Sequence, residues 1–193
     1  MQITYNSWTK QIMKKVMMMV AILCCAMTTA VLTACGSDDD TTPEKPDNTL
    51  AYAEVIFTFW GTQDMLDIAD MTVTYNDGTG NKTETVTSVD WVKTVKAALP
   101  VSFKFERKVT LKEGVTLSDD QTYSYINKHQ TVYGVTNAKG TSLKSGISGA
   151  LAKEPTSLKG NKINAVITSG LMDASYTYDF DKDGKCPQLD FPE

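Results

Sequence analysis

Between Val101 and Lys112 the chain reads VSFKFERKVTLK, with Val101, Phe103, Phe105, Val109 and Leu111 on one parity and Ser102, Lys104, Glu106, Lys108, Thr110 and Lys112 on the other. Side chains of an extended strand point alternately to opposite faces, so this order demands a long strand with one dry face and one wet face. A helix, at 3.6 residues per turn, would spread the same lysines around its axis. Arg107 interrupts the apolar row, and its charge predicts a bulge or a sheet edge at that point.

Other segments follow the same rule. In residues 51–60, Val55, Phe57 and Phe59 share one face while Ile56 and Trp60 share the other, which predicts a strand buried on both sides. Residues 71–75 alternate, Asn76-Asp77-Gly78-Thr79-Gly80-Asn81 supplies residues that tolerate positive φ, and residues 82–89 alternate again, the pattern of a hairpin. Residues 91–95 read as a short strand ended by Pro100. Residues 123–126 and 131–135 read as strands around a polar turn containing His129, and Tyr176, Tyr178 and Phe180 mark a last one. Ile163, Val166, Ile167 and Leu171 stand at helical spacing with Gly170 near the exit, and Gln63 to Ala69 is a second short helix candidate. Many short strands without βαβ alternation predict a mainly β fold, an antiparallel β-sandwich of immunoglobulin-like arrangement with one or two short helices, although no Cys–Trp–Cys core is present.

Ahead of this domain, assigned to residues 50–193, lies a different kind of sequence. Lys14 and Lys15 precede an apolar run from Val16 to Val31 broken only by Thr28 and Thr29, and small residues lead to Cys35, the order of a secretory signal. Leu32-Thr33-Ala34-Cys35 matches a lipobox, and here the chain resembles a bacterial lipoprotein. That resemblance implies cleavage after residue 34 and a diacylglycerol on the Cys35 thiol. Met13 opens a typical signal of this kind, so residues 1–12 are expected to precede the true start. An uncut anchor is the alternative, since residues 16–34 approach the ~20 needed to span a bilayer. The acids Asp38, Asp39 and Asp40 resemble the surface-export signal of bacteroidete-type lipoproteins, which implies a lipid-anchored chain on the outer face of the outer membrane. A tether solvated by those acids in the periplasm is the other reading. Gly36 after the cysteine departs from the enterobacterial inner-membrane retention pattern. The chain also resembles the short lipoproteins of gut bacteroidetes, a likeness that implies an address and no reaction.

Residues 36–49, GSDDDTTPEKPDNT, offer nothing to a core and hold Pro43 and Pro46, so residues 35–49 read as the lipidated cysteine and a disordered acidic linker. Its random-coil reach is roughly 20 Å. Asp40-Thr41-Thr42 resembles a bacteroidete O-glycosylation acceptor. Removing the signal takes Lys10, Lys14 and Lys15, which leaves 16 basic residues against 23 acids, a net charge of −7. An acidic chain without a basic stripe excludes nucleic acid as a partner. Cys24 and Cys25 leave with the signal, so Cys186 is the one thiol besides Cys35, and its pairing with His129 as a nucleophile is the lesser reading beside a packed cysteine.

Asp179, Asp181, Asp183 and Asp190 stand at positions one, three, five and twelve of an EF-hand outline with Gly184 at six, which makes calcium the one metal to consider. Three departures argue against it: Asp at twelve where the family has Glu, Cys186 at eight and Pro187 at nine. A hairpin turn at Asp181–Gly184 closing a final strand pair is the favoured reading. Asp64, Asp67 and Asp70 recur every third residue, as a cation site or a solvated helix face. Trp60, Trp91, Tyr52, Tyr123, Tyr125 and Tyr133 form either a glycan-stacking platform or core pairs. No catalytic residues and no cofactor emerge. The expectation is a non-catalytic binding or structural module held to the membrane by its lipid, with a glycan or an envelope protein as partner. A glycan-processing hydrolase and an adhesin or assembly subunit are the alternatives.

Overall fold

The computed structural model describes residues 46–189. All of them but Pro46 belong to a unit spanning Asp47–Glu193. The signal, Cys35, the acids at 38–40, the threonines at 41–42 and Asp190 lie outside the described residues.

The alternating stretch forms β5 (Val101–Leu111), whose Phe103, Phe105, Arg107 and Val109 are buried between two sheets. The other strands are β1 (Tyr52–Trp60), β2 (Ala69–Asn76), β3 (Asn81–Thr85), β4 (Asp90–Ala98), β6 (Thr122–Tyr125), β7 (His129–Thr136), β8 (Ser142–Gly149), β9 (Thr156–Lys159) and β10 (Ala174–Phe180); the helices are α1 (Gln63–Ile68) and α2 (Gly160–Thr168). One sheet has the order β4-β1-β7-β8 and the other β10-β5-β2-β3, all neighbours antiparallel, with β6 and β9 forming a separate pair. The fold is therefore an antiparallel β-sandwich with two short helices. Its strand order is not the immunoglobulin one, because β1 pairs with β4 and β7 instead of joining β2.

Several expectations are corrected. Arg107 marks neither a bulge nor an edge: β5 is flanked by β2 and β10, in continuous register through Val73, Arg107 and Ala174. Among the described residues the register shift falls elsewhere, between Val135 and Thr136 on β7 opposite β8. His129 is the first residue of β7, not part of a turn, and β6 pairs with β9 instead of β7. Helix α2 ends at Thr168 and Gly170 turns at φ 72°, so Leu171 leaves the helical face and is 66% exposed. α1 ends at Ile68, which puts Asp70 on β2 and separates it from Asp64 and Asp67. The strand expected over 82–89 ends at Thr85, and β1 is doubly buried only at Trp60, its other outward residues being half-exposed.

The core runs between the sheets. Phe57 on β1 stacks on Phe105 of β5 at 4.4 Å, Trp91 of β4 faces Tyr75 of β2 at 6.0 Å, and β7 faces β10 through Thr131 and Tyr178. Helices α1 and α2 close one end, with Met65, Ile68, Ile163 and Ile167 buried. Thr62 caps α1 by accepting from the Met65 amide at 3.2 Å. Gly160 permits α2 to start where it does, because a Cβ there would overlap the Ser118 carbonyl. The opposite end carries the turns β2–β3, β4–β5 and β7–β8. The described chain enters at that same end: Asn137 Nδ2 donates to the Asp47 carbonyl at 2.7 Å, and the Ala51 backbone amide to the Thr136 carbonyl at 2.9 Å.

Between β7 and β10, fully buried Thr131 shares a 2.8 Å hydrogen bond with the Tyr178 hydroxyl. Burial is the main cause that pushes the Tyr178 phenol from 10.0 up to about 12. A raised folded value means that its stabilising contribution is complete below about pH 10 and is lost as pH rises towards 12. Tyr178→Phe is expected to cost about 1 kcal/mol at pH 7 and to flatten the loss of stability between pH 10 and 12. Urea unfolding at pH 7, 10 and 11.5 reads both, and equal alkaline slopes in the two proteins would assign that loss to other groups.

Candidate functional site

On the outer face of the second sheet, outward residues of β2, β5 and β10 lie in two rows. Thr74, Glu106 and Ser175 are in register across the three strands, and Thr72 pairs with Lys108 in the next row. Asp173, just before β10, extends that second row, where its Oδ1 accepts the Val109 amide at 2.9 Å and so continues the ladder beyond the strand. Short hydroxyl side chains beside long ones leave a groove of about 510 Å³, lined by these six residues with Arg107 and Ala174. Its size falls within the range of ligand sites.

The groove wall at 171–173 is fixed from the interior by Arg107, which is only 4% exposed. Its Nε and Nη2 donate to the Met172 carbonyl at 3.0 and 2.8 Å, and Nη2 also donates to Asn127 Oδ1. Asn127 in turn donates to the Leu171 carbonyl at 3.0 Å. The guanidinium lies 4.6 Å from the Phe59 ring, a cation–π contact. One buried cation thus ties β5 to the loop before β7 and the loop before β10. Burial holds it below its ordinary value. Burial, and then the nearby Arg107 charge, also lower His129, whose imidazole stacks on Phe57 at 5.4 Å and lies 3.9 Å from the Tyr176 ring. No carboxylate orients His129 among its described partners, which are rings. It fills space in an aromatic ladder, and its candidacy as a general base lacks the third group that such chemistry needs.

The other candidate residues are placed as follows. Asp181 Oδ1 accepts the amides of Asp183 and Lys185, both at 2.8 Å, Asp183 pairs with Lys182 at 2.9 Å, and Asp179 accepts from Gln188 at 3.2 Å. These oxygens are engaged in closing a turn. The turn joins no final strand pair, since β10 is the last strand; it returns the chain so that Cys186 and Leu189 bury against the core. Among the described residues no group of three His, Cys, Asp or Glu side chains converges on a metal position. Cys186 is a free, buried thiol pushed up by burial. It sits at the Val135 end of β7, against which Gly184 packs, whereas His129 begins that strand, roughly 20 Å away.

Asp64 accepts from the Ser124 amide and hydroxyl at 2.6 and 2.8 Å, tying α1 to β6, and Asp67 accepts from Gln63. Trp60 and Trp91 are each 7% exposed and Tyr133 is buried, while Tyr123 and Tyr125 pack on the core. Trp91 and the tyrosines build or pack on the interior and Trp60 is covered on the outer face, with Lys153 over its ring, so these residues form no exposed tryptophan platform for sugar stacking. The groove itself escaped sequence reading: Thr72 and Ser175 share a site only because β2 and β10 both flank β5.

No protein-family model matches this chain, and no curated protein and no solved structure shows significant similarity to it.

Proposed function

We propose that this chain is a lipid-anchored envelope protein that binds a polar, hydroxyl-bearing ligand such as a glycan through the groove over β2, β5 and β10. The observation that carries this reading is the placement of the groove. It lies midway along the outer face of the sheet, over Thr72 and Thr74 of β2, Glu106 and Lys108 of β5 and the start of β10, whereas the described chain enters at the end of the sandwich beside the β7–β8 turn. Cys35 and the acidic linker serve in this reading as a tether that holds the domain on the outer surface of a bacteroidete-type cell.

The chemistry of the lining suits binding. Three hydroxyls, two carboxylates and one ammonium offer donors and acceptors in rows one strand spacing apart, the complement of a polyol. Glu106 pairs with Lys104 at 2.9 Å and Asp173 holds the Val109 amide, so both carboxylates are already fixed as acceptors. That arrangement supports a holding role over an acid–base pair, for which one carboxyl must stay protonated.

Two experiments test the two parts. Cys35→Ala is expected to move the chain from the membrane fraction to the soluble one; retention in the membrane, or an unmodified Cys35 in native material, removes the anchor. The soluble chain from Gly36 onward, screened against a polysaccharide array, is expected to bind. Glu106→Gln with Thr72→Ala should weaken the strongest hit by at least about tenfold, the worth of one hydrogen bond to a charged group, without a change in Tm. Binding unaffected by these groove changes would sink the site.

A further inference from the structure

We propose that the free edge of β8, over Ser145–Gly149, pairs antiparallel with the same segment of a second copy of this chain. Among the described residues, β8 ends its sheet and is hydrogen-bonded to β7 alone. Because β7 already faces β10, the last strand of the other sheet, β8 projects past its neighbour below.

The edges of the two four-stranded sheets differ in how they are guarded. β3 is five residues long with Lys82 and Glu84 on it, and it is tied to β4 by Glu84, which accepts from Trp91 at 3.1 Å and pairs with Lys93 at 2.5 Å. The second half of β10 is covered by the tail, where the Asp179 amide donates to Gln188. On β8 both guards lie at the start of the strand: Lys144, and the register shift opposite Val135/Thr136 that leaves Leu143 unmatched. From Ser145 to Gly149 there is neither charge nor proline, and Ile147 is 50% exposed.

Register selects the partner. Ile56, Val132 and Ile147 form one row across the outer face of β1, β7 and β8. A two-fold axis perpendicular to the sheet keeps outer residues on the outer face and opposes residues of the same parity. Centred on Ile147, it sets Ile147 against Ile147 of the second copy, and the apolar row continues through both chains. Ser145 then opposes Gly149, and Lys144 falls opposite Ala150. The two lysines stand six residues apart, roughly 20 Å, beyond the screening distance at physiological salt. A strand of this sequence is thus compatible with itself, with no like charges facing.

The antiparallel pair has a directional consequence, which rests on the lipid tether proposed at Cys35. The entry ends of the two chains point opposite ways, so the contact joins chains on facing surfaces and not neighbours on one surface. Short pairing of this kind is individually weak and gains from many copies on each surface.

The test uses the soluble chain from Gly36 onward, in which Cys186 is buried and is the only native thiol. Under mild copper-phenanthroline oxidation, Ile147→Cys is expected to give a disulfide-linked dimer as the main product and Lys144→Cys to give monomer. No dimer at 147, or equal dimer at both positions, overturns the pairing. In a second arm, vesicles with nickel-chelating lipid carry the chain by an N-terminal histidine tag; they are expected to cluster, with clustering lost in Ile147→Lys at unchanged Tm. Crosslinking without clustering overturns the bridging geometry. Because the chelating lipid replaces Cys35, that failure is independent of whether the cysteine is acylated.

Discussion

Arg107→Ala is expected to destabilise the domain by about 3 kcal/mol, since it strands the carbonyl of buried Met172, releases Asn127 and leaves a void beside Phe59. Part of the loss is offset, because removing a desolvated cation also removes the free energy of burying it. Arg107→Met, which refills the void without the charge, is therefore expected to lose less, about 1–2 kcal/mol. Arg107→Lys is not a conservative change here: an ammonium cannot span two loops as the planar fork does. Calorimetry gives the size of the effect, an expected fall in Tm of about 10 °C for the alanine variant at this domain size. Hydrogen exchange gives its location. Faster exchange should concentrate at 126–128 and 171–173, the segments the guanidinium holds, and loosen the groove wall at Asp173. An alanine variant as stable as the parent, or exchange rising uniformly over the fold, would show that Arg107 clamps nothing.

Phe57→Ala should be at least as damaging, at about 4 kcal/mol. Phe57 has no exposed surface and lies at the centre of the aromatic cluster, stacked on Phe105 at 4.4 Å, edge-on to Phe59 at 4.7 Å, and within 6.2 Å of the rings of His129, Tyr176 and Tyr178. Removing its ring leaves a cavity lined by neighbours from both sheets. Domains of this size have only about 5–15 kcal/mol in total, so the loss is a large share. Urea unfolding should show a lower midpoint at unchanged slope. Phe57→Leu, which keeps most of the volume, is expected to lose less than half as much. A loss below about 1.5 kcal/mol for the alanine variant would mean that the sheets close over the gap.

The strands that were readable in the sequence are those with one buried face. β5, β2 and β10 place aromatic and β-branched residues on alternate positions, and the hairpin between β2 and β3 is written in Asp77 and in Gly78 and Gly80, which adopt φ 89° and 135°. β8 and β9 were not readable. SLKSGISG has neither a continuous apolar row nor β-branched density, and it is a strand because β7 offers it a ladder. Leu171 shows the converse. Its spacing fits the helix, but Gly170 turns the chain first, and spacing carries no information about where hydrogen bonding stops. Arg107 is visible in the sequence as an anomaly that predicts a bulge or a sheet edge, whereas its actual resolution depends on a carbonyl 65 residues away.

What the sequence by itself determined is the class of fold: alternating burial forces sheets, sheets with one greasy face must stack, and turn residues at intervals keep neighbours antiparallel. The stretch ending at Cys35, on which the proposed anchor rests, is likewise a local pattern in consecutive residues. Only the tertiary structure decided which strands are neighbours, and with that the groove, the clamp at Arg107 and the free edge of β8. Side-chain periodicity states which face of a strand is dry, and says nothing about which strand lies beside it.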